Sequence, residues 1–237
     1  MIDSAMILAA GFGTRMRPIT NHTPKPLVPL RGRALIDHAI DRLVAAGVRR
    51  IVVNTHYKAE MIAAHLKSRR DVAIELSHEP ALLDTGGGVK KALPLLGDAF
   101  FVLNADVFWL NAKVPALARL RRAWDDARLD ALLLVQRTVT AVGYDGPGDF
   151  TVDPLGRLRR RGEREVAPHL FAGIEILSQR FFEGSPDGAF SLNPLWNQAI
   201  DAGRIEALIH DGEWFHVGTP QGLAATEERL RHHGVMR

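Results

Sequence analysis

The first half of the chain alternates short apolar runs with longer amphipathic ones. "AMILAA" near the start has no polar position to turn to water and reads as a buried strand. "ALIDHAIDRLVAAG" spaces its apolar residues three and four apart and stops at Gly47, which predicts a helix. "RIVVNTH" gives a second strand, "KAEMIAAHLK" a helix and "VAIELS" a third strand. "GGVKKALPLL" starts a helix that Pro94 shortens or kinks. "AFFVLNAD" is a fourth strand and "VPALARLRRAWDDA" another helix. Beyond Gln136 the pattern loosens. "ALLLVQRT", "DFTVDP", "LRRRGE" and "HLFAGIEIL" predict further strands, some antiparallel, and "SLNPLWNQAIDAG" and "PQGLAATEERLRHH" predict helices.

Strand-helix-strand alternation predicts an α/β fold: a mostly parallel, mixed sheet with helices on both faces. Ligands of such sheets bind at the carboxyl ends of the strands. Three polar loops follow strand ends: Gly11 to Arg17, Asp84 to Gly88, and Asn104-Ala105-Asp106. No linker, repeat or low-complexity segment interrupts the pattern, so residues 1–237 read as one domain.

Composition narrows the classes of function. Hydrophobic residues make up 46% and charged residues 24%, an ordinary globular balance. No apolar stretch approaches the roughly 20 residues of a membrane span, and the N-terminus lacks the basic start and long apolar segment of a secretory signal. The absence of cysteine excludes disulfides, thiolate metal sites and a cysteine nucleophile. These features lead us to expect a cytoplasmic protein. The basic run "GRLRRRGERE" could attract phosphate or nucleic acid. With a net charge of only +3 and no aromatic-basic interleaving, it reads as a solvated turn and strand edge.

The chemistry concentrates in "ILAAGFGTRMRPITNHTPKPL". Glycines after a strand let backbone N–H groups approach an anion. Gly11 and Gly13 begin a dinucleotide-type pattern, but Met16 fills its third glycine position, and the Walker loop is absent. Arg15 and Lys25 point instead to phosphoryl transfer, in which charge building on a triphosphate must be met by cations. Thr14 and Arg15 can wrap a triphosphate tail. Lys25, held between Pro24 and Pro26, is a compact charge on a stiffened backbone.

The long ordered stretch "LAAGFGTRMRPIT…TPKPL" resembles the signature of the sugar-1-phosphate nucleotidyltransferases. The likeness continues through "LLDTGGGVKKALPLLGD", "LNADV", "GDF", "FAGIEIL" and "VGTP". It is nearest to a short, single-domain branch holding N-acetylmuramate-1-phosphate uridylyltransferases and mannose-1-phosphate guanylyltransferases. The resemblance implies a Rossmann-like nucleotidyltransferase (GT-A-like) fold. It also implies a reaction in which NTP plus sugar-1-phosphate gives an NDP-sugar and pyrophosphate, by in-line attack with no side-chain nucleophile. Within it Leu8, Ala9, Ala10 and Gly11 would read base and ribose, Gly13, Thr14, Arg15 and Lys25 the phosphates, and Thr85 and Gly86 the base side. Thr85 could alternatively cap the following helix. Gly87 would face the sugar, and Asp149 and Glu175 would accept hydrogen bonds from its hydroxyls.

Asp106, after an apolar strand, is expected to bind Mg²⁺, a hard cation that prefers carboxylate oxygen and keeps several waters. Ala105 departs from the glycine that relatives commonly carry there. A larger departure is "EWFHVGTP": where relatives commonly carry a second carboxylate, this chain has His216. Imidazole suits Mn²⁺ better than Mg²⁺. His216 therefore ligates metal, or yields its place to water, or contacts phosphate, or only packs. The expected partners are an NTP and a sugar-1-phosphate, with no nucleic acid and no membrane, and the chain acting as a monomer or weak homo-oligomer. UTP with N-acetylmuramate-1-phosphate competes with GTP and mannose-1-phosphate. A non-catalytic nucleotide or sugar-phosphate sensor is the reading of another class: His216 favours it, and intact Arg15, Lys25 and Asp106 oppose it.

Overall fold

Residues 2–232 are described in a computed structural model; His233, the last residue of the final predicted helix, lies outside them. The chain opens with β1 (Ser4–Leu8) and passes through the glycine loop into a small hairpin, β2 (Pro29–Leu30) and β3 (Arg33–Ala34). Then come α1 (Leu35–Ala45), β4 (Arg50–Thr55), α2 (Ala59–Leu66), β5 (Ala73–His78), α3 (Asp84–Ala92) and β6 (Ala99–Asn104). They follow the predicted order. α3 starts at Asp84, earlier than the predicted Gly87, and Pro94 falls in a 3-10 turn beyond its end.

β7 (Val107–Leu110), α4 (Ala116–Ala123) and β8 (Ala131–Arg137) follow. α4 is shorter than its apolar pattern predicts, because Trp124 leaves the helix with extended backbone. The last third holds β9 (Ala141–Val142), β10 (Phe150–Val152), β11 (Leu158–Arg160), β12 (His169–Ser178), α5 (Asn193–Asp201), β13 (Ile205–Ile209), β14 (Glu213–His216) and α6 (Pro220–His232).

The main sheet runs β12-β6-β1-β4-β5, and the last four strands are parallel. β12 is antiparallel to β6 and β8, and β13 joins β8 in parallel. Alternation sorts the core. Ala5 and Ile7 of β1 face Ile36, Ala39, Ile40 and Leu43 of α1, with α2 and α4 on the same side. Met6 faces Val89 and Ala92 of α3, with Leu195 and Trp196 of α5 beyond. Each large aliphatic side chain so buried stabilises the fold by roughly 1.5–3 kcal/mol. A third cluster joins Phe108, Phe215, Val217 and Leu230, and packs β7, β14 and α6 together.

This topology sets where a ligand can sit. The chain moves outward from β1 to β4 and β5, then crosses back to β6 on the other side of β1. The strand order reverses between β1 and β6, and a crevice opens at their carboxyl ends. Ala105 N–H donates to Leu8 O at 3.2 Å across that junction. β12 reaches it too. Its register with β8 shifts between Phe171 and Glu175, and Gly173 turns there with φ 73°. A Cβ on Gly173 would lie 2.7 Å from Val107 Cγ1, so only glycine allows this close approach.

Candidate active site

The two strand ends and the glycine loop enclose a cavity of about 320 Å³, lined by Leu8, Ala9, Ala10, Gly11, Gly13 and Thr14, then Arg15, Lys25, Thr85 and Asp106. A second cavity of about 730 Å³ holds Asp149 and His216, together with Tyr144, Asp145, Phe171 and Trp214. Arg15, Asn104 and Asp106 line both, so the cavities meet at these three residues.

The glycine loop and the downstream lysine are physically joined. Gly13 adopts φ 63°, and a Cβ there would press on Thr20 Cγ2 at 3.0 Å and Lys25 Cβ at 3.1 Å. Thr20 Oγ1 donates to Gly13 O at 2.8 Å. The loop therefore lies flat against the segment that carries Lys25. From a short turn following Pro24, Lys25 Nζ donates to Asp106 Oδ2 at 2.6 Å, with side chains 12% and 21% exposed. Burial pushes the Asp106 carboxyl upward, but Lys25, then His216 and Arg15, outweigh it and hold the group below the usual carboxylate range.

His216 ends β14, opposite Val107. Its ring stacks on Trp214, with centroids 5.9 Å apart and planes 17° apart. The Trp214 indole donates to Ala172 O at 2.8 Å, which ties the histidine to the bulge in β12. Gly218 leaves the room the imidazole occupies; a Cβ there would clash with its Nε2. Arg15 Nη1 lies 3.5 Å from His216 Nε2, and because guanidinium can only donate, Nε2 accepts. Burial first, then Lys25 and Arg15, lowers the His216 pKa from 6.5, against an opposing pull from Asp106. The ring is therefore neutral near pH 7.

Three sequence expectations are corrected by position. Gly86 and Gly87 do not line either cavity: both are buried inside α3. A Cβ on Gly86 would strike the Phe190 ring, and one on Gly87 the Gly188 carbonyl, so these glycines serve helix packing. Their N–H groups donate to Phe190 O at 2.8 and 3.0 Å and are not open to a ligand. Thr85 does line the first cavity but does not cap α3; its Oγ1 accepts from Leu192 N–H at 3.0 Å.

Glu175 is the third correction. It is 1% exposed and lines neither cavity. Trp196 Nε1 donates to its Oε2 at 3.0 Å, its Oε1 has no partner, and burial raises its pKa to about 8. Asp149, by contrast, lines the second cavity, with Oδ2 accepting from Phe171 N–H at 2.8 Å. Four of the five arginines of the basic run are engaged within the fold. Arg157 pairs with Asp153 and Arg159 with Glu165, Arg160 reaches Asn193 and Asn197, and Arg161 binds four carbonyls including Gly148 O.

The sequence reading missed Asn54, Tyr144 and Asp145, all of which line the cavities, and buried Glu79 beside them; Asn104, named there only as part of a strand-end loop, lines both cavities. Asn54 is the polar residue next to the end of an apolar strand, which is the signal that could have found it. No group of three or more His, Asp or Glu suited to a metal ion exists among the described residues. The donor set at Asp106 fits a cation that also takes phosphate oxygens, since Mg²⁺ is commonly held by one or two carboxylates plus substrate. No helix among the described residues is long and apolar enough to cross a membrane.

Comparison with known proteins shows the family of the chain. Residues 4–144 match the family described as Nucleotidyl transferase. The chain is 43% identical over 232 residues to N-acetylmuramate alpha-1-phosphate uridylyltransferase of Caulobacter vibrioides, covering 95% of this chain and 96% of that protein. It is 31% identical to mannose-1-phosphate guanyltransferase of Aspergillus fumigatus, covering 92% of this chain but 61% of that protein. The crystal structure of HddC from Yersinia pseudotuberculosis complexed with GMP-PN superposes with a TM-score of 0.79, at 22% identity over 97% of this chain and 100% of that one, a likeness of fold.

Proposed function

The chain belongs to the nucleotidyl transferase family, and we propose that it joins UTP to N-acetylmuramate-1-phosphate, releasing pyrophosphate. The observation that carries the reaction class is the meeting of two cavities at Arg15 and Asp106 with Lys25 beside them. The nucleotide occupies the first cavity, its base against Leu8 to Gly11 and Thr85. The sugar-1-phosphate occupies the second, where Asp145 and Asp149 offer carboxylate acceptors for hydroxyls. The choice of UTP and of this sugar is supported by 43% identity along nearly the full length of both chains.

In this reading a phosphate oxygen of the sugar attacks the α-phosphorus, the bond to the β-phosphate breaks, and pyrophosphate leaves. The nucleophile is already anionic, so the side chains position it and neutralise charge. Arg15 spans the junction and meets the phosphates from both sides. Lys25 gives its charge to the α-phosphate as negative charge grows there, while Pro24 and Pro26 limit the backbone it hangs from. Asp106, kept ionised by Lys25, would hold Mg²⁺ together with the triphosphate; when bound, the cation screens charge on the transferring group. His216 orients Arg15 through its Nε2. Polar phosphorylated substrates and products suit a cytoplasmic catalyst.

A pyrophosphate-release screen tests the proposal: four NTPs against a panel of sugar-1-phosphates, with Mg²⁺ and Mn²⁺ separately. The strongest signal is expected for UTP with N-acetylmuramate-1-phosphate. A dominant signal for GTP with mannose-1-phosphate moves the chain to the second reading that its relatives support. Signal in no combination would favour a non-catalytic sensor.

A further inference from the structure

At the edge of the first cavity, which Asn54 lines, lies a pair of buried polar side chains from different elements. Asn54, near the end of β4, is 3% exposed, and Glu79, just past β5, is fully buried. Ala9 N–H donates to Asn54 Oδ1 at 2.7 Å. Asn54 Nδ2 donates to Glu79 Oε1 at 2.8 Å. Leu83 N–H donates to Glu79 Oε2 at 2.9 Å. Three bonds thus run unbroken from one wall of the cavity, the end of β1, to the other, the entry to α3. The backbone of Glu79 is fixed as well, its N–H on Thr55 O and its carbonyl on His56 Nδ1, both at 2.8 Å.

The fold makes room for this pair at a cost. A Cβ on Gly88 would lie 2.8 Å from Glu79 Oε1 and 2.9 Å from Asn54 Nδ2, so α3 carries a glycine in its interior to pass over them. A buried carboxylate is itself expensive and tolerable only when well hydrogen-bonded. An apolar contact would join the two walls more cheaply but would not fix their spacing, because apolar attraction has no direction.

We propose that Asn54 and Glu79 are positioning residues for the nucleotide base, setting the separation of the walls at Ala9 and Leu83 and thereby the choice of base. This rests on the first cavity being the nucleotide cleft. Neither residue reaches the cations at Arg15 and Lys25. Loosening the pair therefore changes how the NTP is held and selected, and leaves turnover of bound NTP nearly intact.

The test is a reversal of the pair. Asn54→Asp alone sets two carboxylates face to face. Glu79→Gln alone sets an N–H against either the Asn54 amide or the Leu83 N–H. The double variant N54D/E79Q restores all three bonds, with only the bond between the two side chains reversed. The new carboxylate accepts from Ala9 N–H and from the new amide, whose oxygen accepts from Leu83 N–H. Each single variant should raise KM for the preferred NTP by on the order of 10-fold or more, the scale of one buried unsatisfied group. Each should also narrow the UTP-to-GTP ratio of kcat/KM, with kcat at saturating NTP little changed. The double variant should recover both KM and the ratio.

A purely structural role would lower thermal stability without moving the base ratio, which overturns the proposal. So would a double variant as impaired as the singles. Calorimetric titration of wild type with UTP separates the two levels. Wild-type binding with an unmoved base ratio in the variants overturns the positioning role alone, whereas no wild-type binding overturns the nucleotide-cleft reading and the proposal with it.

Discussion

Replacing Glu175 with glutamine should remove a large pH dependence from the stability of this protein. The carboxyl is 1% exposed, with Trp196 on one oxygen and nothing on the other, and burial raises its pKa from 4.5 to about 8. The folded state therefore holds a proton that the unfolded chain has already released at neutral pH. The stability conferred by the protonated group is complete below pH 4.5 and is lost as pH rises toward 8. Each tenfold change in a protonation equilibrium corresponds to about 1.4 kcal/mol, so between pH 5 and pH 8 this single group should remove on the order of 3–4 kcal/mol.

Glutamine keeps the shape, offers an oxygen to the Trp196 N–H, and has no proton to lose. Guanidinium unfolding of wild type and Glu175→Gln, at pH 5, 6, 7 and 8, measures the difference through the midpoint at fixed slope. Histidines whose pKa values are lowered by burial, such as His169 and His210, also change stability with pH, but they cancel between the two proteins. The glutamine variant should be only slightly more stable at pH 5 and several kcal/mol more stable at pH 8. Parallel pH profiles would refute the reasoning, because they would mean that the carboxyl ionises as freely in the fold as in water.

Three variants test the junction of the cavities. Lys25→Ala should lower kcat/KM by on the order of 10²-fold, the scale of losing one preorganised charge contact, with circular dichroism unchanged; near-normal turnover would remove Lys25 from the transfer step. The same variant should move the acid limb of the pH–rate profile upward, since Lys25 is the chief charge holding the Asp106 carboxyl down. Asp106→Asn should abolish metal-dependent turnover while NTP still binds weakly, as titration calorimetry would show; full activity would exclude it as a ligand. His216→Asp should raise the apparent affinity for Mg²⁺ by placing a second carboxylate near Asp106, and identical metal titrations in both proteins would mean that a side chain at position 216 does not reach the metal.

The α/β class was legible because strands and helices leave different apolar periods, and the first cavity because about half of its lining sits in one long ordered motif. What escaped depended on partners distant in sequence. Gly86 and Gly87 look like ligand-admitting glycines until Phe190 and Gly188 are seen against them. Glu175 alternates correctly along β12, but alternation does not tell whether a sheet face meets a cleft or, as here, the indole of Trp196. Asn54 and Glu79 look like ordinary strand-end polar residues, and only the assembled sheet brings them together. The small sheet of β7, β14 and β9 includes a two-residue strand, too short to leave a periodic signal, yet it delivers His216 to the junction.

The central claim is the identity of the product, and a competition experiment reads it directly. The purified protein is given equimolar UTP, GTP, N-acetylmuramate-1-phosphate and mannose-1-phosphate with Mg²⁺, and the nucleotide sugars formed are separated and weighed by mass spectrometry. UDP-N-acetylmuramate should be the dominant product, formed one for one with pyrophosphate. GDP-mannose as the dominant product, or pyrophosphate without any nucleotide sugar, would contradict the account.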